Sequence, residues 1–112
     1  AIFLDGKRII FGNASSVTPV CTDPMIILDQ QREVDPAPYP HWAATIDDLR
    51  ISNQGLYESD FTPERHLAVR PDTVALWSFD MEMDGIIPDV SGSGHDAMLA
   101  EGALVSDDCH LP

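Results

Sequence analysis

Apolar and polar residues alternate over ten positions of the chain. Ala75, Trp77, Phe79, Met81 and Met83 fall on one side of an extended backbone, and Leu76, Ser78, Asp80, Glu82 and Asp84 on the other. The pattern predicts a strand with one oily and one largely acidic face. It then turns through Gly85 and Pro88 into residues 89–96, DVSGSGHD, a glycine-punctuated loop in which Asp and Ser alternate. Upstream, Ile2, Phe3 and Leu4 face an Ile9, Ile10, Phe11 arm across Asp5-Gly6. Asp-Gly is a strong hairpin signal because a type I′ turn needs positive φ at both central residues. Residues 25–28, MIIL, form a short unbroken apolar run that fits a buried strand. Residues 44–52 read as another strand, with Ile46, Leu49 and Ile51 set among Asp47, Asp48 and Arg50, and residues 98–105 supply the last strand or two. No helical period is sustained over eleven residues; one-turn helices at 58–63 and 63–66 are the most the pattern allows. The expected fold is all-β.

Between these elements lie loops. Residues 35–41, DPAPYPH, hold three prolines in seven positions and exclude both helix and central strand. Trp42 follows, either anchoring that loop or standing beside Tyr39 as an exposed aromatic pair that would stack on a sugar face. Trp77 alternates with Ala75 and Phe79 and reads as core; Tyr57 and Phe61 read as pins holding residues 58–63 to the body.

Length and charge narrow the choices. The 112 residues suit a single domain over the whole chain, 1–112, with one core. Nineteen carboxylates against six Lys and Arg give a net charge of -13, which repels nucleic acid and anionic membrane and favours cations or basic partners. Fourteen of the nineteen are Asp, a turn former, which again favours loops and strands. No apolar run is long enough to span a bilayer, so no membrane insertion is expected. The chain begins at Ala1 and reads as a mature or processed product. Cys21 and Cys109 lack any zinc-site spacing. They read as a disulfide, worth about 4 to 5 kcal/mol for so long a loop, or as two buried thiols. A bridge would place the protein outside the reducing cytosol. Asn13-Ala14-Ser15 is a glycosylation sequon, meaningful only in a host that modifies secreted asparagines.

Three stretches carry a family resemblance. LWSFD followed by DVSGSGHDAML resembles the opening of a laminin G-like, or concanavalin A-like, jelly-roll module of secreted bacterial proteins. Residues 46–63, IDDLRISNQGLYESDFTP, are similar to the closing strand and tail of that family, and AIFLDGKRI resembles its internal Asp-Gly hairpin. The order is reversed: residues 1–63 resemble the back half of a module and residues 72–105 the front half. The resemblance therefore implies an antiparallel β-sandwich that is incomplete or permuted, with strand edges that a neighbouring copy could cover. It further implies secretion, an adhesion or recognition role toward glycan or protein, and a calcium ion near the loop.

The residues themselves offer oxygen ligands for that ion. Asp89, Ser91 and Asp96 surround Gly92 and Gly94, and Asp47 or Asp48 could approach from the adjoining strand. A solvated Asp/Ser turn is the plainer reading, because the full Asp-x-Asp-x-Asp-Gly spacing with its closing Glu is missing. Catalysis is not expected. Asp80, Glu82 and Asp84 imitate paired glycosidase carboxylates but read better as a solvated strand end, and His41, His66, His95 and His110 are scattered among loops. The expected protein is a non-catalytic extracellular recognition module; the competing class is a structural subunit that builds a surface layer or filament by strand complementation between copies.

Overall fold

A computed structural model describes residues 1–10, 12, 45–100 and 103. All of these except Thr45 belong to one compact unit made of Ala1–Gly12 and Ile46–Pro112; the second unit is Asn13–Thr45. The strand expected at 25–28, the proline-rich loop, and Asn13, Cys21, Tyr39, Trp42 and Cys109 lie outside the described residues.

The described chain is all-β. Six short strands, β1 (Ile2–Leu4), β2 (Lys7–Ile10), β3 (Leu49–Ser52), β4 (Thr73–Trp77), β5 (Ile86–Ile87) and β6 (Ala97–Met98), form three antiparallel pairs, β1-β2, β3-β4 and β5-β6. Among the described residues there is no helix, so neither short helical turn expected between 58 and 66 forms.

The first hairpin closes as its sequence dictates. Asp5 and Gly6 take φ of 50° and 75°, the left-handed values of a type I′ turn, and Leu4 pairs with Lys7 directly across it. Gly6 is buried, and a Cβ built there would collide with the carbonyl of Phe61. That close approach lets the Phe61 N–H donate to the Gly6 carbonyl at 2.9 Å. The Arg8 N–H and the Lys7 ammonium both donate to the Asp60 carboxylate, holding its carboxyl below the usual range. Tyr57 and Phe61 stack at 3.5 Å between ring centres with Phe3 edge-on to both, so these aromatics do pin the tail.

The central ladder pairs Leu49 with Trp77, Arg50 with Leu76 and Ile51 with Ala75. It is shorter than the alternation suggested. The strand stops at Trp77 because Phe79 adopts a φ of 57°, a turn conformation rarely taken by a bulky residue, and its ring packs against the core from there. β3 accordingly begins at Leu49, where its partner ends, rather than at residue 44.

The last pair grows from a second Asp-Gly turn. Asp84 and Gly85 have φ of 53° and 81°, and Met83 and Ile86 exchange both backbone hydrogen bonds at 3.0 Å across them. Ile86 then pairs with Met98, and Ile87 with Ala97. Ala75, Trp77 and Ile87 form the core, exposed by only 2%, 5% and 1%, with Leu49, Ile51, Phe79, Ala97 and Leu99 packed around them.

Candidate functional site

Asp89 sits where the loop meets β4. Its side chain is fully buried, and its two oxygens accept three backbone N–H groups: Oδ1 those of Leu76 and Ser91 at 2.9 Å, Oδ2 that of His95 at 3.0 Å. Burial alone would push its carboxyl up, but hydrogen bonds from the backbone N–H groups of Leu76, Ser91 and His95 outweigh it and hold the group far below the usual carboxylate range. Asp96 serves the same loop, accepting the Asp89 N–H at 2.9 Å, and the Ser91 hydroxyl reaches the Val74 carbonyl at 3.3 Å.

These contacts do for β4 what a neighbouring strand would do. Leu76 turns its N–H to Asp89 and its carbonyl to the Val90 N–H at 2.8 Å, on the edge away from β3. Trp77 fixes the far side of the loop by donating from Nε1 to the His95 carbonyl at 2.8 Å. An edge that would otherwise be open is covered.

The structure thus brings Asp89, Ser91 and Asp96 together, with their oxygens engaged in building the loop. Asp48 goes elsewhere: it accepts the Leu67 N–H at 2.6 Å and lies 3.8 Å from His66 Nδ1. Asp47 is half-buried ahead of β3. Among the described residues, no three His, Cys, Asp or Glu side chains are grouped to hold a metal ion. Asp80, Glu82 and Asp84 are exposed, and since β4 ends at Trp77 they do not line one strand face; Glu82 instead accepts the Gly85 N–H.

An open cleft lies along the segment that follows β3. Arg50 and Ser52 of β3, with seven of the residues between 54 and 67, line this cleft of about 380 Å³. Tyr57 and Phe61, stacked on one another, contribute its aromatic lining, and Arg50, Gln54 and Glu64 bring a guanidinium, an amide and a carboxylate. Arg50 Nη1 is steadied by the Ala68 carbonyl at 2.9 Å, and Glu64 by Arg70 at 2.7 Å. The Ser52 hydroxyl oxygen is buried without a hydrogen-bond partner. Such a group costs stability unless water or a ligand reaches it. The only advance signal was the spacing of Tyr57 and Phe61 beyond a strand; nothing in the sequence said that Arg50 and Ser52 would face them.

Compared with protein-family models, with curated proteins and with solved structures, the chain matches none.

Proposed function

We propose that this chain is a non-catalytic, extracellular recognition module of the laminin G-like β-sandwich kind, incomplete or permuted in strand order, and that the cleft beside β3 takes a saccharide. The observation that carries the reading is the lining of that cleft. Aromatic rings offer an apolar wall for a sugar's C–H face, while an arginine, a glutamine and a glutamate supply donors and acceptors for its hydroxyls. One carboxylate, Glu64, lines the cleft and is already paired with Arg70, whereas glycoside hydrolysis uses two flanking the bond. Binding is the chemistry this arrangement suits.

The test is an array of defined oligosaccharides probed with the full chain, followed by calorimetric titration of the best of them into wild type, Gln54→Ala and Gln54→Trp. Gln54 is exposed and lines the cleft, so both variants should melt with the parent while losing affinity. An array with no signal, or equal affinity in all three proteins, overturns the reading. Calcium would have to enter this proposal through oxygens outside the Asp89 carboxylate; a melting temperature raised by calcium in wild type but not in Asp96→Asn would put it there. Intact mass under oxidising and reducing conditions tests the compartment, because free thiols at Cys21 and Cys109 would remove the extracellular assignment.

A structural subunit is the second reading, and one observation favours it. Ile2, Leu4, Ile9 and Ile10 of the first hairpin are each more than half exposed. Apolar strands left bare in this way invite pairing with another copy. Sedimentation separates the two: large ordered particles support assembly, and a monomer supports recognition.

A further inference from the structure

A second surface lies on the outer side of the β5-β6 pair, independent of the cleft. Met83 bridges Ile86, and Ile86 pairs with Met98, so the three form one row across adjacent strand segments. Residues directly opposite in antiparallel ladders share a face. The row is bare: Met98 is 82% exposed, Met83 68% and Ile86 40%, and Met81, two residues before Met83, is also exposed. Unbranched thioether side chains adapt their shape to what they meet, and a contiguous apolar patch of this kind marks an interaction surface.

Charge says what kind of partner it fits. Asp80, Glu82 and Asp84 interleave with Met81 and Met83 and are exposed, and Asp96 precedes β6 by one residue, also exposed. Residues 71–112 hold nine of the nineteen carboxylates and none of the six Lys and Arg. A second copy meeting it through the same patch would bring the same negative field and be repelled. A cationic segment would be drawn in.

We propose that the Met83, Ile86, Met98 row, with Met81, is a docking surface for a basic amphipathic segment of a partner protein, apolar side chains seated on the methionines and Lys or Arg side chains meeting the flanking carboxylates.

Three synthetic peptides of equal length test this by fluorescence anisotropy against the full chain: Leu and Lys patterned as an amphipathic helix, the same pattern with Glu for Lys, and a Lys peptide with Ser for Leu. The Leu/Lys peptide should bind and the other two should not. Met83→Ser combined with Met98→Ser should weaken binding about tenfold, the loss expected when partner contacts with two apolar side chains are removed. Asp5→Asn, which removes one exposed charge at the first hairpin, should change affinity by no more than about twofold. If the double variant melts early, Met98→Gln alone takes its place. The proposal is overturned if the Leu/Lys peptide fails to bind, if the Leu/Glu or Lys/Ser peptide binds as tightly, if the methionine variants bind unchanged, or if the patch proves to join two copies of the chain.

Discussion

Strand β4 and the β5-β6 pair contribute to one core, yet they treat their outward sides in opposite ways. On β4, the edge away from β3 is closed by the 89–96 loop, and Leu76 on the strand is only 2% exposed. On β5-β6, Ile87 is buried while its neighbour Ile86 and the opposing Met98 stand in solvent. Two consecutive isoleucines therefore meet different fates. Backbone hydrogen bonding does not separate the two regions, since Ile86 exchanges both of its backbone bonds with Met83 just as Leu76 gives both of its own to the 89–96 loop. What differs is that the Leu76 side chain on β4 is covered while those of Ile86 and Met98 are not.

Asp89→Ala should cut deepest, because it strands the N–H groups of Leu76, Ser91 and His95; a loss of about 3 to 5 kcal/mol by chemical denaturation is expected. A loss under about 1 kcal/mol would mean that water replaces the carboxylate and the edge was never closed. Ile87→Ala should cost about 2 to 4 kcal/mol by leaving a cavity in the core. Acid should act on Asp89 as well. Its carboxyl titrates below the ordinary range in the folded state, so its stabilisation is complete above about pH 4 and is lost as pH falls further. A urea midpoint followed from pH 7 to pH 2 should show this decline, and the decline should be smaller in Asp89→Asn. Trp77→Phe, which keeps a ring but removes the donor to the His95 carbonyl, should cost about 1 to 2 kcal/mol. Smallest of all, Ile86→Ala should stay within about 0.5 kcal/mol of wild type. If it costs as much as Ile87→Ala, the outer face is not free and the contrast fails.

Much of the fold was legible. Asp5-Gly6 announced its hairpin, Tyr57 and Phe61 announced the pinned tail, and the alternation through Ala75 and Trp77 announced a strand with a buried Trp. The same signal at Asp84-Gly85 marks more than a turn, since it starts a hairpin by the same positive-φ chemistry. The alternation overstates the length of β4, because period-two patterning cannot reveal that Phe79 turns back onto the core. The candidate sites were legible only in pieces. The alternation of Asp and Ser marks Asp89, Ser91 and Asp96 as a group but not which groups their oxygens face, and it carries no sign of the cleft beside β3.

Sequence by itself determined the local chemistry: where positive φ is tolerated, which short runs favour strands, and that the chain carries a net charge of -13, with every cation before residue 71. Tertiary structure alone decided that a carboxylate at position 89 would serve the backbone of position 76, and that Arg50 and Ser52 would share a cleft with Tyr57 and Phe61. The reason is physical. Turn and strand preferences act over a few bonds, whereas a hydrogen bond between groups thirteen residues apart exists only after burial has removed the water that would otherwise compete for it.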